Sequence, residues 1–164
     1  MYLIFTSMKR TQQIALLAII GLICGFTIPM VAGDNSSDFE EIRKILAQQE
    51  RDWNEGNIDA FMDAYWKSED LQFGGANGIT KGWQKTLENY KKGYPDKASM
   101  GKLTFRVKDI TWHSRKVVSL TGSWELERAK DRPGGYFLLI WRKIKGEWKI
   151  VVDHTSQKLP VDPS

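Results

Sequence analysis

The feature that most limits how this chain can fold is a change of hydrophobic period near Leu103. Before it, the stripe Phe39, Ile42, Leu46, Gln49 and Trp53 recurs at helical intervals; after it, apolar side chains alternate as they do along half-buried strands. Ser37 and Glu40 have the spacing of a capping box, so a first helix is expected to start near Asp38 and to end at Gly56. Asn57 then caps a second, shorter helix through Phe61, Met62 and Tyr65 to Trp66. The string "LQFGGANGITKG" turns on its glycines and predicts a short strand or hairpin around Leu71 to Phe73 and Ile79. A third helix is expected from Trp83 to Lys92, stopped by Gly93 and Pro95. Four strands follow, at about 102–112, 116–128, 135–144 and 147–156.

Lys145-Gly146 has the chemistry of a two-residue hairpin turn, which sets Trp141 opposite Ile150, Leu139 opposite Val152 and Phe137 opposite His154. The expected architecture is α+β: three N-terminal helices packed on a strongly curved antiparallel sheet, cone-shaped with an internal pocket at its open end.

With 164 residues, 41% of them hydrophobic, the chain suits one globular domain, expected over residues 34–164. Residues 1–33 differ: Lys9 and Arg10 precede an apolar run from Ile14 to Ile28, and Val31 to Gly33 offers small residues for cleavage. That order predicts a signal peptide, with Met8 a possible start, and a periplasmic or secreted product free of the membrane once the leader is cut. An uncleaved anchor is the alternative, since the run approaches the ~20 residues that span a bilayer. Cys24, the only cysteine, lies in the leader behind Ile23, so neither lipid attachment nor a thiol in the mature chain is expected. Lys9 and Arg10 also account for two of the 24 basic residues, leaving 22 against 20 acidic ones and a net charge near +2. The remaining basic clusters, "YKKGY" and "WRKIK", read as solvated faces, so no nucleic-acid partner is expected.

Four stretches together resemble the nuclear transport factor 2-like superfamily, which includes SnoaL-like and ketosteroid-isomerase-like proteins. They are "QQERDWNEGNIDAFMDAYW", "NYKKGYPDKASMGKLTF", "VVSLTGSWEL" and "WRKIKGEWKIVVDHTS", and the match spans roughly Ser37 to Gln157. It looks closest to a secreted bacterial branch of unassigned function that ends in a similar Asp-His-Thr-Ser strand. The resemblance implies a cone-shaped fold with a pocket between helices and sheet, commonly dimeric through the outer sheet face. It implies no reaction, because the superfamily hosts many unrelated activities. The isomerase needs a carboxylate base after the first strand and a tyrosine on the first helix; aligned here, Gly74 and Gln49 stand at those positions, which argues against that proton shuttle.

On the last strand, alternation groups Trp148, Ile150, Val152, His154 and Ser156 on one face and Lys149, Val151, Asp153 and Thr155 on the other. The first set is the more apolar and is expected to face the pocket. His154 and Ser156 then become its polar anchors, with His154 also the candidate catalytic acid or base. Asp153 points away unless a bulge shifts the register. Tyr65, Trp66, Phe73, Trp83, Tyr90, Tyr94, Trp124 and Trp141 are expected to complete an aromatic lining. His113 sits at a hairpin turn and Arg106 opposite its strand's apolar face, so both are expected outside the pocket. No metal motif is present in the sequence and no cofactor is expected. The expectation is therefore a pocket that binds a small apolar molecule, in a homodimer joined through Tyr136, Leu138, Ile140 and Val151. The alternatives are a lyase, isomerase or hydrolase using His154, and a homodimeric interaction module with a filled core.

Overall fold

The computed structural model describes residues 35–158; the leader expected at 1–33 lies outside them. Helix α1, Asn35–Glu55, begins ahead of the expected start near Asp38. The Asp38 side chain instead ties the helix to the sheet: its Oδ1 accepts from Lys143 Nζ at 2.5 Å and from Trp148 Nε1 at 3.1 Å. Those bonds, the lysine's first, hold its carboxyl below the usual range. Ile42, Leu46, Gln49 and Trp53 are buried along one stripe, as their spacing predicts. Gly56 ends the helix at φ 85°, a left-handed conformation that suits glycine. Asn57 Oδ1 then accepts from Ala60 N at 3.0 Å and caps α2, Ile58–Phe61. This helix is shorter than expected and tightens into a 3-10 turn, Met62–Ala64.

The glycine-rich string forms a hairpin of β1, Gln72–Gly75, and β2, Gly78–Lys81. Helix α3, Trp83–Gly93, follows as expected. A one-turn helix α4, Lys97–Met100, was not foreseen; Asp96 and Ser99 build a reciprocal capping box at its start. The four long strands are β3, Lys102–Ser114, β4, Val117–Glu127, β5, Gly134–Ile144, and β6, Glu147–Gln157. They form an antiparallel meander in a six-stranded sheet of order β2-β1-β6-β5-β4-β3 that does not close. The expectation of a purely C-terminal antiparallel sheet is corrected by β1, which joins it parallel to β6.

Helix α1 also covers the exposed edge at the start of β3. Asn54 Oδ1 accepts from Leu103 N at 2.7 Å, its Nδ2 donates to Leu103 O at 3.0 Å, and Glu50 Oε2 accepts from Phe105 N at 2.7 Å. Two helix side chains thus do what a neighbouring strand would do for these edge groups. The core, with Trp141, Trp148, Ile42 and Leu120 among its fully buried members, lies between α1 and the concave sheet face.

Two details of the sheet decide where the later side chains point. The β5–β6 turn has Lys145 at φ 52° and Gly146 at φ 91°, a tight turn that sets Trp141 opposite Ile150 as expected. The next pair is Ile140 with Val152, so Val151 is an extra residue and a β-bulge. Beyond it, Leu139 faces Asp153 and Phe137 faces Thr155, correcting the expected pairings with Val152 and His154. Val151 itself is buried, so it is no part of the outward patch assigned to it, whereas Tyr136 and Leu138 are exposed there.

Candidate functional site

The helices do not fill the concave face of the sheet. Toward the end of the sheet away from the β5–β6 turn they leave a cavity of about 800 Å³. Its inner wall comes from Leu46, Gln49 and Trp53 of α1, Phe61 of α2, Tyr65 behind the 3-10 turn, Tyr90 of α3 and Tyr94 just after it; the sheet supplies Phe73, Phe105, Trp124, Phe137 and Leu139. Exposed Ala76, Asn77, Lys92 and Gln157 mark the rim. The hollow depends on small residues in the sheet. A Cβ on Gly122 would stand 2.3 Å from Phe137 Cζ and 2.7 Å from Arg106 O, so only glycine lets that ring lie across the strand.

Among these mostly apolar groups stands one carboxyl. Asp153 is 6% exposed and lines the cavity. Its Oδ2 accepts from the Tyr65 hydroxyl at 2.7 Å, and its Oδ1 is buried with no hydrogen-bond partner. The Tyr90 phenol lies near enough to Tyr65 and Asp153 to feel the charge of that carboxyl. Burial pushes the Asp153 carboxyl up to about 7, opposed by the Tyr65 hydrogen bond. Both phenols are held well above their ordinary value, by burial first and by the nearby Asp153 charge second. At neutral pH the tyrosines are therefore neutral, and Asp153 is the group poised to gain or lose a proton.

The bulge places Asp153 here and turns His154 away. After Val151 the inward positions are Asp153 and Thr155, while His154 is exposed beside Leu138 on the outer face. β1 reports the same register independently: Phe73 pairs with Asp153 and Gly74 with His154. A Cβ on Gly74 would meet His154 Nδ1 at 2.6 Å, so the two share the outer face, and the β1 positions that border the cavity are Phe73 and Gly75. The expected inward face for His154 is thus corrected, and Asp153 stands in its place.

The other expected lining residues divide. Tyr65, Phe73, Tyr90 and Trp124 border the cavity, and Ser156 reaches its rim while paired outward with Tyr136. Trp141 is fully buried in the core, because its end of β5 lies beneath the N-terminal half of α1. Trp83 is turned to the core, its Nε1 donating to Met62 O at 2.9 Å and its ring covered by Lys67. Trp66 does not border the cavity either; its backbone N–H donates to Ile150 O at 2.9 Å. Tyr94 also borders the cavity, whereas Trp53 and Phe61 were missed as lining residues, although Trp53 lies on the predicted helix stripe. Arg106 and His113 are exposed, as expected.

No family model matches the chain, and no curated protein sequence does. Solved structures do. An NTF-2 like protein of unknown function from Shewanella oneidensis MR-1 is 41% identical, with a TM-score of 0.70 over 73% of this chain and 98% of that one. A ketosteroid isomerase-like protein from Erwinia carotovora atroseptica SCRI1043 is 17% identical, with a TM-score of 0.60 over 74% of this chain and 96% of that one. An NTF2-like superfamily protein from Salmonella enterica serovar Typhimurium is 17% identical, with a TM-score of 0.61 over 79% of this chain and 96% of that one.

The buried carboxyl makes a prediction about stability. Because folding raises its pKa from the 3.8 of a free side chain to about 7, the folded state binds the proton more tightly than the unfolded state does. Stability is then lost as pH rises from about 4 to about 7, and stays lost above. Linkage sets the loss at up to about 4 kcal/mol, or ~1.4 kcal/mol per pH unit. Asp153→Asn, which keeps an acceptor for Tyr65, is expected to gain on the wild type by that slope across this window in denaturant titrations. Parallel pH profiles for the two proteins would contradict the burial.

Proposed function

The chain belongs to the nuclear transport factor 2-like superfamily, and from that premise we propose that it binds a small, largely apolar molecule in the cavity over its sheet. The observation that carries the reading is one buried carboxyl oxygen without a partner in a cavity of about 800 Å³ whose inner wall is mostly apolar. Cavities of roughly 300–1,000 Å³ with mostly apolar walls and a few convergent polar groups are the usual form of small-molecule sites. Asp153 and Tyr65 take the anchoring role that the sequence suggested for His154 and Ser156.

A second reading, an enzyme using Asp153 as its acid or base, is favoured by the near-neutral titration of that carboxyl in a cleft. The binding reading goes further, because Tyr65, bonded to Asp153, and nearby Tyr90 are both held neutral, so that among the described residues neither neighbour titrates near pH 7 beside it. Export after loss of residues 1–33 and homodimerisation through the outer face around Tyr136 and Leu138 belong to the same proposal. N-terminal sequencing and sedimentation check them; a full-length membrane-bound chain or a clean monomer would count against each in turn.

The cavity itself is tested with the neutral fluorescent probe N-phenyl-1-naphthylamine. We expect saturable binding of one probe per chain. Thr155→Trp, at an inward position bordering the cavity, should weaken it at least about tenfold, a loss near 1.4 kcal/mol, with the circular dichroism unchanged. Equal affinity in the variant would place the probe elsewhere and remove support for the pocket.

A further inference from the structure

We propose that the molecule this cavity takes is an organic cation, an amine on an apolar or aromatic body, whose N–H donates to Asp153 Oδ1. The inference rests on the binding reading above and names its ligand class.

Two independent features converge on it. The first is the state of the carboxyl. Tyr65 donates to Oδ2 at 2.7 Å, an arrangement that favours the ionised form, and Oδ1 is left buried and bare. Among the described residues no basic side chain is bonded to Asp153; burial and the Tyr65 bond act on its charge. The basic groups that border the cavity are Lys92, exposed at the rim, and Arg128, which is ion-paired with Asp131 at 3.1 Å and donates from Nη1 to Ser99 O at 3.2 Å, while its buried Nε makes no hydrogen bond. A desolvated carboxylate with an empty acceptor and no counter-ion is matched by a ligand that brings both the proton donor and the positive charge.

The second feature is the wall. Trp53, Phe61, Tyr65, Phe73, Tyr90 and Tyr94 form one continuous ring cluster, with neighbouring centroids 4.7 to 6.1 Å apart. Tyr65 joins that cluster to Asp153. Rings of this kind accept apolar bodies by burial, and their negative faces attract cations but not anions or alcohols. A cation held by Asp153 thus lies within the same lining that would take its apolar part.

The titratable groups facing Asp153 are Tyr65, from the segment behind the 3-10 turn, and Tyr90, from α3; β1 and β5 present Phe73 and Leu139. Both phenols stay neutral across the range used below, so a pH effect on binding reports Asp153 itself.

The test is calorimetric titration of the full mature protein with arylalkyl amines of increasing size, tryptamine among them, each paired with its isosteric alcohol (tryptophol for tryptamine). At pH 8 the best amine is expected to bind at least about tenfold tighter than its alcohol, the expectation for one charge-assisted bond. Its affinity should fall about tenfold between pH 8 and pH 6 as the free carboxyl takes up its proton. Asp153→Asn should erase both effects, with an unchanged circular dichroism spectrum showing that the fold remains intact. If alcohols bind as well as amines, or tighten at pH 6, Asp153 acts as a proton donor to a neutral oxygen, and the amine proposal is overturned while the pocket reading stands. If no compound of either series binds, both are overturned.

Discussion

Between the pairs Trp141 with Ile150 and Ile140 with Val152, the β5–β6 ladder takes in one extra residue, and every side chain after it changes face. A strand has a side-chain period of two, so a single inserted residue moves a whole set of groups from one side of the sheet to the other. Here that residue is Val151. It keeps its own side chain buried, and it carries Asp153 and Thr155 inward and His154 outward. Without it, the cavity would end in an imidazole and a hydroxyl at the mouth. With it, the cavity holds a carboxyl beneath the rings of α3 and the segment behind the 3-10 turn.

The position is costly, and the surroundings offset little of the cost. A carboxylate taken from water keeps its charge only where donors replace its hydration, and Asp153 has one donor, Tyr65, at 2.7 Å. A domain of this size has a net stability of about 5–15 kcal/mol, so a few kcal/mol held in one side chain is a large share. Such a cost is borne elsewhere in the fold: by the fully buried Trp141, Trp148, Ile42 and Leu120, and by the Asn54 and Glu50 side chains that close the β3 edge. Local rules broken against stability gather where a protein does its work. That is why the binding site proposed for this chain is the cavity and not the outer face with His154.

Much of the fold was legible in the sequence because local chemistry decided it. The 3.6-residue stripe from Ile42 to Trp53 could bury itself in only one way; Gly56 and Asn57 ended one helix and began the next; Lys145-Gly146 admitted only a tight hairpin turn. The pairing of β1 beside β6 was hidden because it joins residues some 80 apart along the chain, beyond any local signal. The bulge was hidden for a different reason. Val151 and Val152 are equally suited to a buried face, so the string "IVVDH" reads in either register, and no glycine marks the insertion. The aromatic lining was half legible for a related cause: composition showed that broad rings must be buried, and only tertiary packing decided that Tyr65 and Tyr90 border a void while Trp141 fills the core.

Asp153 sits inside the cavity as a desolvated carboxyl held by Tyr65. The most direct measurement is a ¹³C NMR titration of the aspartate side-chain carboxyls, with Asp153→Asn to assign the signal. One aspartate is expected to titrate at about 7 and to be missing from the variant. If the resonance assigned to Asp153 titrates below about 5, in the range of ordinary solvated aspartates, then the register beyond Val151, and the site built on it, are wrong.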